Sequence, residues 1–463
     1  MVETAISIAF WLSTCLTVII LALPSQYIPR RAKEGENHND QEKVTVQILV
    51  LGDIGRSPRM QYHALSIARH GGLVDIIGYQ ESDPHPEITS NSNISIVPLP
   101  PHPNILQTSN KLLFLAFGPL KVLFQVLSLW ICLAYRTTPA KYLLVQNPPS
   151  IPTLAIVSVV CFFRQTRLII DWHNFGYSIL ALKLGDQHPL VRISNWYEKL
   201  FCGWATAHLC VTNAMARVLK EEFGISKAPI LTLHDRPASY FKAILDEEER
   251  VQFLASLEEV TATKAKLASG DVRVLVSSTS WTPDEDFLVL IDALCRYSEV
   301  ATAENTTLPR VLAIITGKGP QKEMYLNEIS SREKAGKLEK VTIKTAWLST
   351  LDYARLLGCA SLGVSLHTSS SGVDLPMKVV DMFGAGLPVV GWSRFEAWPE
   401  LVTEGVNGRG FGSSEELASH LTDLFGNPKK LENLRNGAQK ESLRRWDQEW
   451  DPIAGRLLEL VKP

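Results

Sequence analysis

The fold is constrained most strongly by short apolar runs, rich in β-branched residues, that recur with helix-length segments between them. A first series occupies residues 44–53, 74–80, 94–100, 141–147, 167–173 and 208–213. A second series occupies residues 272–278, 310–320, 341–347 and 362–368. Strands that alternate with helices are typical of parallel sheets covered by helices. The two series therefore predict an α/β protein with two Rossmann-like domains that face a crevice and bind ligands at the carboxyl ends of their strands.

The length and composition agree with two domains. The 463 residues are 46% apolar and 20% charged, which is enough apolar material for two cores. We predict an N-terminal domain over residues 44–237, a C-terminal domain over 238–440 and a closing helix over 441–463. A Glu- and Lys-rich stretch at 246–269 follows the proposed boundary.

Residues 4–23 contain no charged side chain and are about long enough to cross a bilayer as a helix. Glu3 precedes this segment, whereas basic residues follow it at Arg30, Arg31 and Lys33. Because cytoplasmic flanks carry the Lys/Arg excess, the rest of the chain is expected in the cytosol. A signal peptide is the competing interpretation, but it usually has a positive n-region and a shorter apolar core. We predict a single-pass anchor over residues 1–30 and a polar linker over 31–43.

A second apolar segment, residues 112–133, is interrupted by Gly118-Pro119 and contains Lys121. Two interpretations stay open: a core helix of the first domain, or a helix that lies on the membrane with its apolar face in the lipid boundary. A second full crossing is disfavoured because it would place the two domains on opposite sides of the bilayer.

Charge and cysteine content exclude several classes of protein. The formal net charge is −2, without the basic excess of a nucleic-acid-binding protein. The seven cysteines are scattered and odd in number, and no CxxC pair occurs among them. They predict neither a disulfide framework nor a zinc site, which fits a reducing compartment.

Two predicted strand ends carry residues suited to an anionic ligand. The sequence SSTSWTPDED begins at Ser277 and opens a helix, so the hydroxyls of Ser277, Ser278 and Thr279 are expected where an anion binds. In the loop TGKGP, Gly317 and Gly319 allow the backbone to approach a ligand closely. Lys318, between the two glycines, supplies a cation.

Lys378 lies in the first turn of a helix predicted to begin at Pro376. The helix macrodipole disfavours a cation there by about 0.3–1 kcal/mol. A bound diphosphate would compensate this cost, and Asp381, one turn later, is placed to accept the hydroxyls of a ribose. The alternative is a surface ion pair between Lys378 and Asp381, worth a few tenths of a kcal/mol.

Several blocks together resemble the chitobiosyldiphosphodolichol β-mannosyltransferases, a family of GDP-mannose-dependent β-1,4-mannosyltransferases. They are GDIGRSPRMQYHAL (52–65), DWHNFGYSI (171–179), WYEKLF (196–201), CVTNAM (210–215), SSTSWTPDEDF (277–287) and LPMKVVDMFGAGLPV (375–389). The resemblance implies a GT-B glycosyltransferase that moves the first mannose from GDP-mannose to GlcNAc2-PP-dolichol on the cytosolic face of the endoplasmic reticulum (ER). It implies inversion by a single displacement with one general base, and no cofactor besides the donor substrate. Other mannosyltransferases of the pathway are possible partners.

Within this resemblance, two residues are candidates for the general base. Asp53 ends the first predicted strand and is the first candidate, although an aspartate there can also cap a turn. His173, in DWHN, can act as base or as a donor to the sugar, or it can bond the loop backbone; Asp171 can orient it. Arg56 and Arg59 are candidates for binding the acceptor diphosphate, with ordinary helix-surface charges as the alternative.

Three features qualify the resemblance. Many GT-B enzymes have an acid where this chain has Val373, so no carboxylate contact to the transferred sugar is expected there. The triplet Asp284-Glu285-Asp286 resembles a metal-binding pair, but acids at a helix start are favourable without an ion. A membrane-tethered noncatalytic subunit that binds a nucleotide sugar or docks a partner transferase is the alternative function.

Overall fold

The computed structural model describes residues 2–28, 43–101, 103, 111–258, 260, 271–282, 285–304 and 306–462. The chain divides into two compact units. The first unit comprises Met1–Cys210, Leu219–Leu231 and Trp450–Pro463, and the second comprises Val211–Val218 and Thr232–Glu449. The predicted linker lies outside the described residues except for Lys43.

The first unit is built on a sheet in the order β3-β2-β1-β4-β5-β6-β7. Its strands are β1 (Thr45–Asp53), β2 (Leu73–Tyr79), β3 (Ile94–Pro98), β4 (Tyr142–Asn147), β5 (Arg167–Trp172), β6 (Ala207–Cys210) and β7 (Ile230–Thr232). The pairings from β3 through β6 are parallel. Ile48, Leu49 and Val50 are consecutive and buried, as expected where helices cover both faces of a parallel sheet.

Helices connect these strands. They are α1 (Val2–Leu21), α2 (Pro58–Arg69), α3 (Pro86–Ser90), α4 (Lys111–Ile131), α5 (Thr153–Arg164), α6 (Gly176–Leu184), α7 (Pro189–Cys202) and α8 (Asn213–Glu221). A 3-10 turn at Ile54–Arg56 joins β1 to α2, and a π-helical turn at Cys132–Arg136 extends α4. The connection between β5 and β6 therefore contains two helices, α6 and α7.

The second unit has a six-stranded sheet in the order β10-β9-β8-β11-β12-β13, and all of its pairings are parallel. Its strands are β8 (Val272–Ser278), β9 (Arg310–Thr316), β10 (Val341–Ala346), β11 (Leu362–Ser365), β12 (Val389–Trp392) and β13 (Gly408–Phe411). Its core is formed by Leu275, Ile291 and Leu294 with residues of neighbouring elements.

The remaining helices follow the same alternation. They are α9 (Glu247–Ser256), α10 (Leu288–Thr302), α11 (Lys322–Lys334), α12 (Thr350–Cys359), α13 (Met377–Gly384), α14 (Trp398–Leu401), α15 (Ser414–Gly426), α16 (Pro428–Glu441) and α17 (Trp446–Trp450). Pro376 caps α13 instead of opening it. In the last segment, α17 and a π-helical turn at Asp451–Gly455 take the place of one closing helix, and the chain returns to the first unit at Trp450.

Two apolar helices bear on the membrane. Helix α1 exposes large side chains along its length, including Ile6, Trp11 and Ile19. Among the described residues, the one helix that is long and apolar enough to cross a bilayer is Phe117–Arg136. It is buried at Leu129 and at the turn that follows, but it exposes apolar side chains at Leu120, Val122, Leu123, Leu127 and Ile131. Only the C-terminal end of this helix therefore behaves as a core helix. A helix that exposes apolar side chains over the rest of its length fits a membrane association.

Candidate active site

In the first unit, a buried carboxylate on β5 connects that strand to helix α2. Asp171 accepts hydrogen bonds from Arg59 Nε at 2.8 Å and Arg59 Nη2 at 2.9 Å, and His173 Nε2 lies 3.0 Å from its Oδ2. Burial alone would raise the pKa of Asp171, but the Arg59 cation and the histidines hold that pKa well below its usual value. Asp171 is therefore ionised, and it orients the partly exposed His173 ring as expected.

A second histidine supports Asp171 from the protein interior. Trp450 Nε1 donates to His63 Nδ1 at 2.9 Å, so the ring proton of neutral His63 is on Nε2, 3.3 Å from Asp171 Oδ2. Burial, the largest cause, lowers the pKa of His63 and favours this neutral form. The returning C-terminal segment thus fixes the tautomer of a ring that contacts Asp171.

Asp53 is placed as the cap of the turn that follows β1. Its Oδ1 accepts from the backbone N–H groups of Gly55 at 3.3 Å, Glu81 at 3.1 Å and Ser82 at 3.1 Å, and its Oδ2 accepts from the Ser82 hydroxyl. Burial would raise the pKa of Asp53, but the hydrogen bonds from Ser82, Glu81 and Gly55 lower it below its usual value. These contacts are those of an aspartate that caps a turn. The predicted role of Asp53 as general base stays a prediction.

The two arginines of this region differ in accessibility. Arg56 is 79% exposed, with Nε 3.4 Å from Asp53 Oδ2. Arg59 is 5% exposed and bonds Asp171 with two nitrogens. The alternative of an ordinary surface charge is therefore wrong for Arg59, because its side chain on α2 is buried against Asp171. The predicted contact of both arginines with the acceptor diphosphate stays a prediction.

In the second unit, Lys378 pairs with a residue that the sequence did not indicate as its partner. Its Nζ contacts the buried Glu285 carboxylate, so the expected alternative of a Lys378–Asp381 pair is wrong. Glu285 also accepts from the Thr279 hydroxyl at 2.6 Å and from Ser280 N at 2.9 Å. Glu285 therefore joins the loop after β8 to the first turn of α13.

The acidic triplet has separate roles for its described members. Asp284 lies outside the described residues. Glu285 is engaged as above, while Asp286 is exposed and accepts from Leu288 N at 3.1 Å at the start of α10. Among the described residues, no group of three or more His, Cys, Asp or Glu side chains is arranged to hold a metal ion.

The three hydroxyls at the end of β8 lie in different environments. Ser277 is 1% exposed. Ser278 Oγ lies 2.8 Å from the Tyr353 hydroxyl and accepts from Thr316 Oγ1 at 3.1 Å, and Thr279 bonds Glu285. Ser278 and Thr279 thus have intramolecular partners at the strand end, and their predicted contact with a ligand stays a prediction.

The glycine-rich loop after β9 packs on the loop after β8. A Cβ atom on Gly317 would lie 1.8 Å from Thr279 O, and one on Gly319 would lie 1.8 Å from Ser280 O. Gly317 also has φ +132°, which favours glycine. The close approach that the glycines permit is therefore occupied by protein backbone. Lys318 extends outward, with Nζ 4.0 Å from the centroid of the Trp347 ring.

Asp381 lies among aromatic and acidic residues. Burial, together with the neighbouring Asp235 carboxylate, raises the pKa of Asp381 to about 7. Burial and then Asp381 in turn raise the pKa values of Tyr240 and Tyr353. A carboxyl group that titrates near neutrality is typical of a functional position.

The loop between β11 and α13 has its own carboxylate, immediately after Val373. Asp374 accepts from His367 Nε2 at 3.0 Å and from Ser371 Oγ at 3.3 Å, and it also contacts the Ser369 hydroxyl. Burial would raise the pKa of Asp374, but His367 and Ser369 lower it. Asp374 therefore holds this polar loop in shape.

Several of these residues were missed by sequence reasoning: His63, Asp235, Tyr240, Tyr353, Asp374 and Trp450. Glu285 was considered only as part of the acidic triplet, not as the partner of Lys378. The HTSSSGVD sequence (367–374) follows a predicted strand and could have identified Asp374. No local signal points to Trp450, which is 387 residues from its partner His63.

Comparisons with known proteins show which proteins this chain resembles in sequence and in fold. Residues 270–427 match the family model described as glycosyl transferases group 1. The crystal structure of HepE from Anabaena in complex with UDP and glucose is similar in fold, with a TM-score of 0.59, 16% identity and coverage of 90% of this chain and 100% of that one. Sucrose-phosphate synthase from Thermosynechococcus elongatus has a TM-score of 0.62 at 12% identity, covering 90% and 98%. The predicted GT-B class with two Rossmann-type sheets is confirmed.

The sequence relatives identify the family more specifically than the similarity of fold does. A protein of Arthroderma benhamiae is 54% identical over 94% of this chain and 95% of its own length. A protein of Yarrowia lipolytica is 45% identical (97% and 94%), and a human protein is 40% identical (95% and 96%). All three are named chitobiosyldiphosphodolichol beta-mannosyltransferase. With nearly full-length similarity and a glycosyltransferase fold, this chain is a glycosyltransferase that belongs to the chitobiosyldiphosphodolichol β-mannosyltransferase family.

Proposed function

We propose that this enzyme transfers mannose from GDP-mannose to GlcNAc2-PP-dolichol, forming the first β-1,4-mannosyl linkage of the lipid-linked precursor. The observation that carries this proposal is the 40–54% identity, over nearly the whole chain, to proteins whose name states a β-mannosyltransferase acting on a chitobiosyl diphosphodolichol. The noncatalytic alternative is not favoured, because these relatives are named as transferases.

The donor is proposed to bind at the carboxyl ends of the strands in the second sheet. Asp381 is the ribose ligand, since a carboxylate accepts two hydroxyl donors. Lys378 is the cation nearest the diphosphate, supported by its position in the first turn of α13 and by Glu285, which holds its Nζ beside the loop after β8. Ser277, Ser278, Thr279 and the 317–319 loop lie at these strand ends, with Lys318 extending from the loop.

The acceptor and the base are proposed to lie at the carboxyl ends of the strands in the first sheet. His173 is our first choice of base, because its ring is partly exposed and donates Nε2–H to Asp171, which leaves Nδ1 as the accepting nitrogen. Asp53 is second, since its lowered pKa and capping bonds make its carboxylate a weaker proton acceptor. Arg56 is the exposed cation for the acceptor diphosphate, while Arg59 orders the site through Asp171.

Inversion determines which bonds form and break in this reaction and where the proton goes. The acceptor hydroxyl oxygen forms a bond to the anomeric carbon as the bond from that carbon to the GDP oxygen breaks. The proton of the hydroxyl passes to His173, and GDP leaves with the bonding electrons. No covalent enzyme intermediate is needed.

The enzyme is proposed to be held at the cytosolic face of the ER by a single N-terminal span, where other mannosyltransferases of the pathway are its candidate partners. The basic residues that follow the span support this orientation. The sequon at Asn93 should then remain unglycosylated in the natural membrane. A glycosidase-sensitive mass shift at that sequon would contradict the orientation.

The function is tested with purified protein, GDP-mannose and a synthetic GlcNAc2-diphospholipid, with product analysis by mass and β-mannosidase digestion. One β-mannose should be added, and a metal chelator should not prevent it. His173→Ala should lower kcat by about 100-fold or more while GDP binding persists, and Asp53→Asn should lower it less. Loss of activity in Asp53→Asn with normal activity in His173→Ala would reverse this assignment.

The donor site has a separate test. Asp381→Ala should raise the KM for GDP-mannose about tenfold, the equivalent of about 1.4 kcal/mol, with little change in the KM for the acceptor. Asp286→Ala, at an exposed acid of the same unit, is the control. Unchanged donor kinetics in Asp381→Ala would remove the ribose assignment without affecting the proposed reaction.

A further inference from the structure

Helix α7 has an unusual distribution of side chains. At about 100° per residue, its buried positions form one side, and they are mostly small or polar: Val191, Ser194, Glu198 and Cys202. Its large apolar positions lie on a roughly opposite arc of about 120° and are exposed: Leu190, Ile193, Trp196 and Leu200. A surface helix of a soluble domain normally has the reverse arrangement, with its apolar stripe toward the core.

Neighbouring elements extend this surface. Helices α5 and α6 both pack on α7. Phe162 of α5 is exposed, and its ring centroid lies 6.3 Å from that of Trp204, which is exposed just after α7. We call the surface formed by these side chains the α7 apolar face: Phe162, Leu190, Ile193, Trp196, Leu200 and Trp204. Contiguous exposure of such side chains marks an interaction surface rather than ordinary surface variation.

The charged residues of α7 itself are suited to lipid. Arg192 and Lys199 are exposed on α7 between its buried side and the apolar arc. The one carboxylate of the helix, Glu198, is buried and accepts from Asn147 Nδ2 at 3.1 Å and Gly176 N at 2.9 Å. A helix with Trp and Leu on one face and Lys or Arg beside it is typical of peptides that lie in the bilayer interface. Tryptophan is likewise enriched at headgroup depth.

The apolar helix α1 joins the first unit close to this surface. After α1, Ala22 O accepts from the Tyr135 hydroxyl at 2.6 Å, and Tyr27 N donates to Arg164 O at 2.7 Å. Arg164 ends α5, two residues beyond Phe162. The proposed membrane span is therefore connected to the protein body beside one end of the α7 apolar face.

We propose that the α7 apolar face docks on the phospholipid bilayer as a membrane contact additional to α1. This inference rests on the proposed function, because a lipid-linked acceptor requires the enzyme to work at the bilayer surface. Two contacts, a span and an interfacial helix, restrain both the height and the tilt of the first unit over the lipid. One span alone leaves the tilt free.

Docking is tested directly in the full chain, without reference to activity. Trp196→Cys, in a background with Cys15→Ser and Cys295→Ser, is labelled with an environment-sensitive fluorophore and reconstituted into phosphatidylcholine–phosphatidylinositol vesicles. We expect a blue shift and strong quenching by nitroxide-labelled acyl chains. Leu73→Cys, an exposed apolar position of the same unit outside the face, is the matched control and should not be quenched by lipid.

Two results would overturn the inference. One is a label at position 196 that iodide quenches and nitroxide lipid does not. The other is a label shielded from both quenchers, which would indicate that a second copy of the chain covers the face.

A kinetic test connects docking with turnover. The triple variant Ile193→Ser/Trp196→Ser/Leu200→Ser changes only exposed side chains, and Val300→Ser/Met324→Ser/Leu443→Ser is its control in the second unit. We expect kcat/KM to fall about tenfold for an acceptor embedded in vesicles and to remain unchanged for a short-chain, water-soluble acceptor. Equal values for both acceptors would contradict the inference. If the native enzyme transferred no mannose, the proposed function would fail, while the lipid quenching would still decide the docking.

Discussion

Asp171, on β5 of the first unit, and Asp381, in α13 of the second, are both carboxyl groups surrounded by protein, yet their charge states differ. Arg59 and two histidines surround Asp171 and hold its pKa well below its usual value. Asp381 has Asp235 beside it, and its pKa rises to about 7. Burial alone thus does not determine the charge of an acid, because the partner supplied by the fold decides it.

The two charge states have different chemical consequences. A permanently ionised Asp171 can orient His173 at any physiological pH. Asp381 changes charge near neutrality, so a ligand that needs its ionised form is bound more weakly as the pH falls below about 7. One unit thus holds a fixed charge and the other a titrating one.

The largest expected effect comes from removing the partner of Asp171. Arg59→Ala leaves a buried carboxylate without its cation and should lower the free energy of unfolding by about 3–5 kcal/mol. Arg56→Ala, at a position 79% exposed, is the control and should change it by about 0.5 kcal/mol or less. Denaturant unfolding in detergent measures both. Similar small changes in the two variants would mean that Asp171 does not depend on Arg59.

The next effect is pH-dependent and concerns Asp381. Because its pKa is about 7 in the folded protein and near 3.8 without the fold, the unfolded chain holds fewer protons between these values. Native stability therefore falls as the pH rises from about 4 to about 7. Asparagine does not titrate, so Asp381→Asn should be more stable relative to the native enzyme at about pH 8 than at about pH 4.5, by about 1–3 kcal/mol.

Thermal unfolding of the native and Asp381→Asn proteins at both pH values measures this difference. Asp286→Asn, at an exposed acid, should show no such change between the two pH values. A constant difference between the native protein and Asp381→Asn would show that Asp381 titrates in its ordinary range.

The smallest expected effect refines the cause of the raised pKa. Asp235→Asn removes the second carboxylate but leaves the burial, which is the larger cause. The pKa of Asp381 should therefore fall without returning to its ordinary value, and the pH-dependent loss of stability should shrink by about 1 kcal/mol or less. The same thermal measurements, made on Asp235→Asn, test this. A complete loss of the pH dependence would assign the shift to Asp235 instead of to burial.

The sequence predicts the sheets well because their signal is local. The apolar runs at 272–278 and 341–347 are strands within a residue of their predicted ends. Parallel topology also predicts that Asp53 lies at the carboxyl ends of the strands in the first sheet, and that Ser278 and Thr316 lie at those of the second. Strand β13, with the sequence GRGF, has little apolar periodicity and was not predicted. Strand β7 has only 3 residues and was also missed.

The partners of the site residues could not be predicted in the same way. Asp171 binds an arginine 112 residues away, and Lys378 binds an acid 93 residues away. Spacing within one helix suggested Asp381 as the partner of Lys378. In the structure Lys378 pairs instead with Glu285, which lies in a different segment, between β8 and α10. Charge pairing at these sites is a property of tertiary structure, whereas the i, i+3 rule treats a helix as isolated.

The packing of Gly317 and Gly319 on the backbone of Thr279 and Ser280 has a consequence for protein engineering. Positions 317 and 319 cannot receive a side chain at this contact, so the loops after β8 and β9 should be exchanged with those of a relative as a pair. A chimera that imports the segment after β8 without the segment after β9 would bring mismatched backbones together. Altering either loop of this scaffold therefore calls for a two-loop transplant, with both glycines retained.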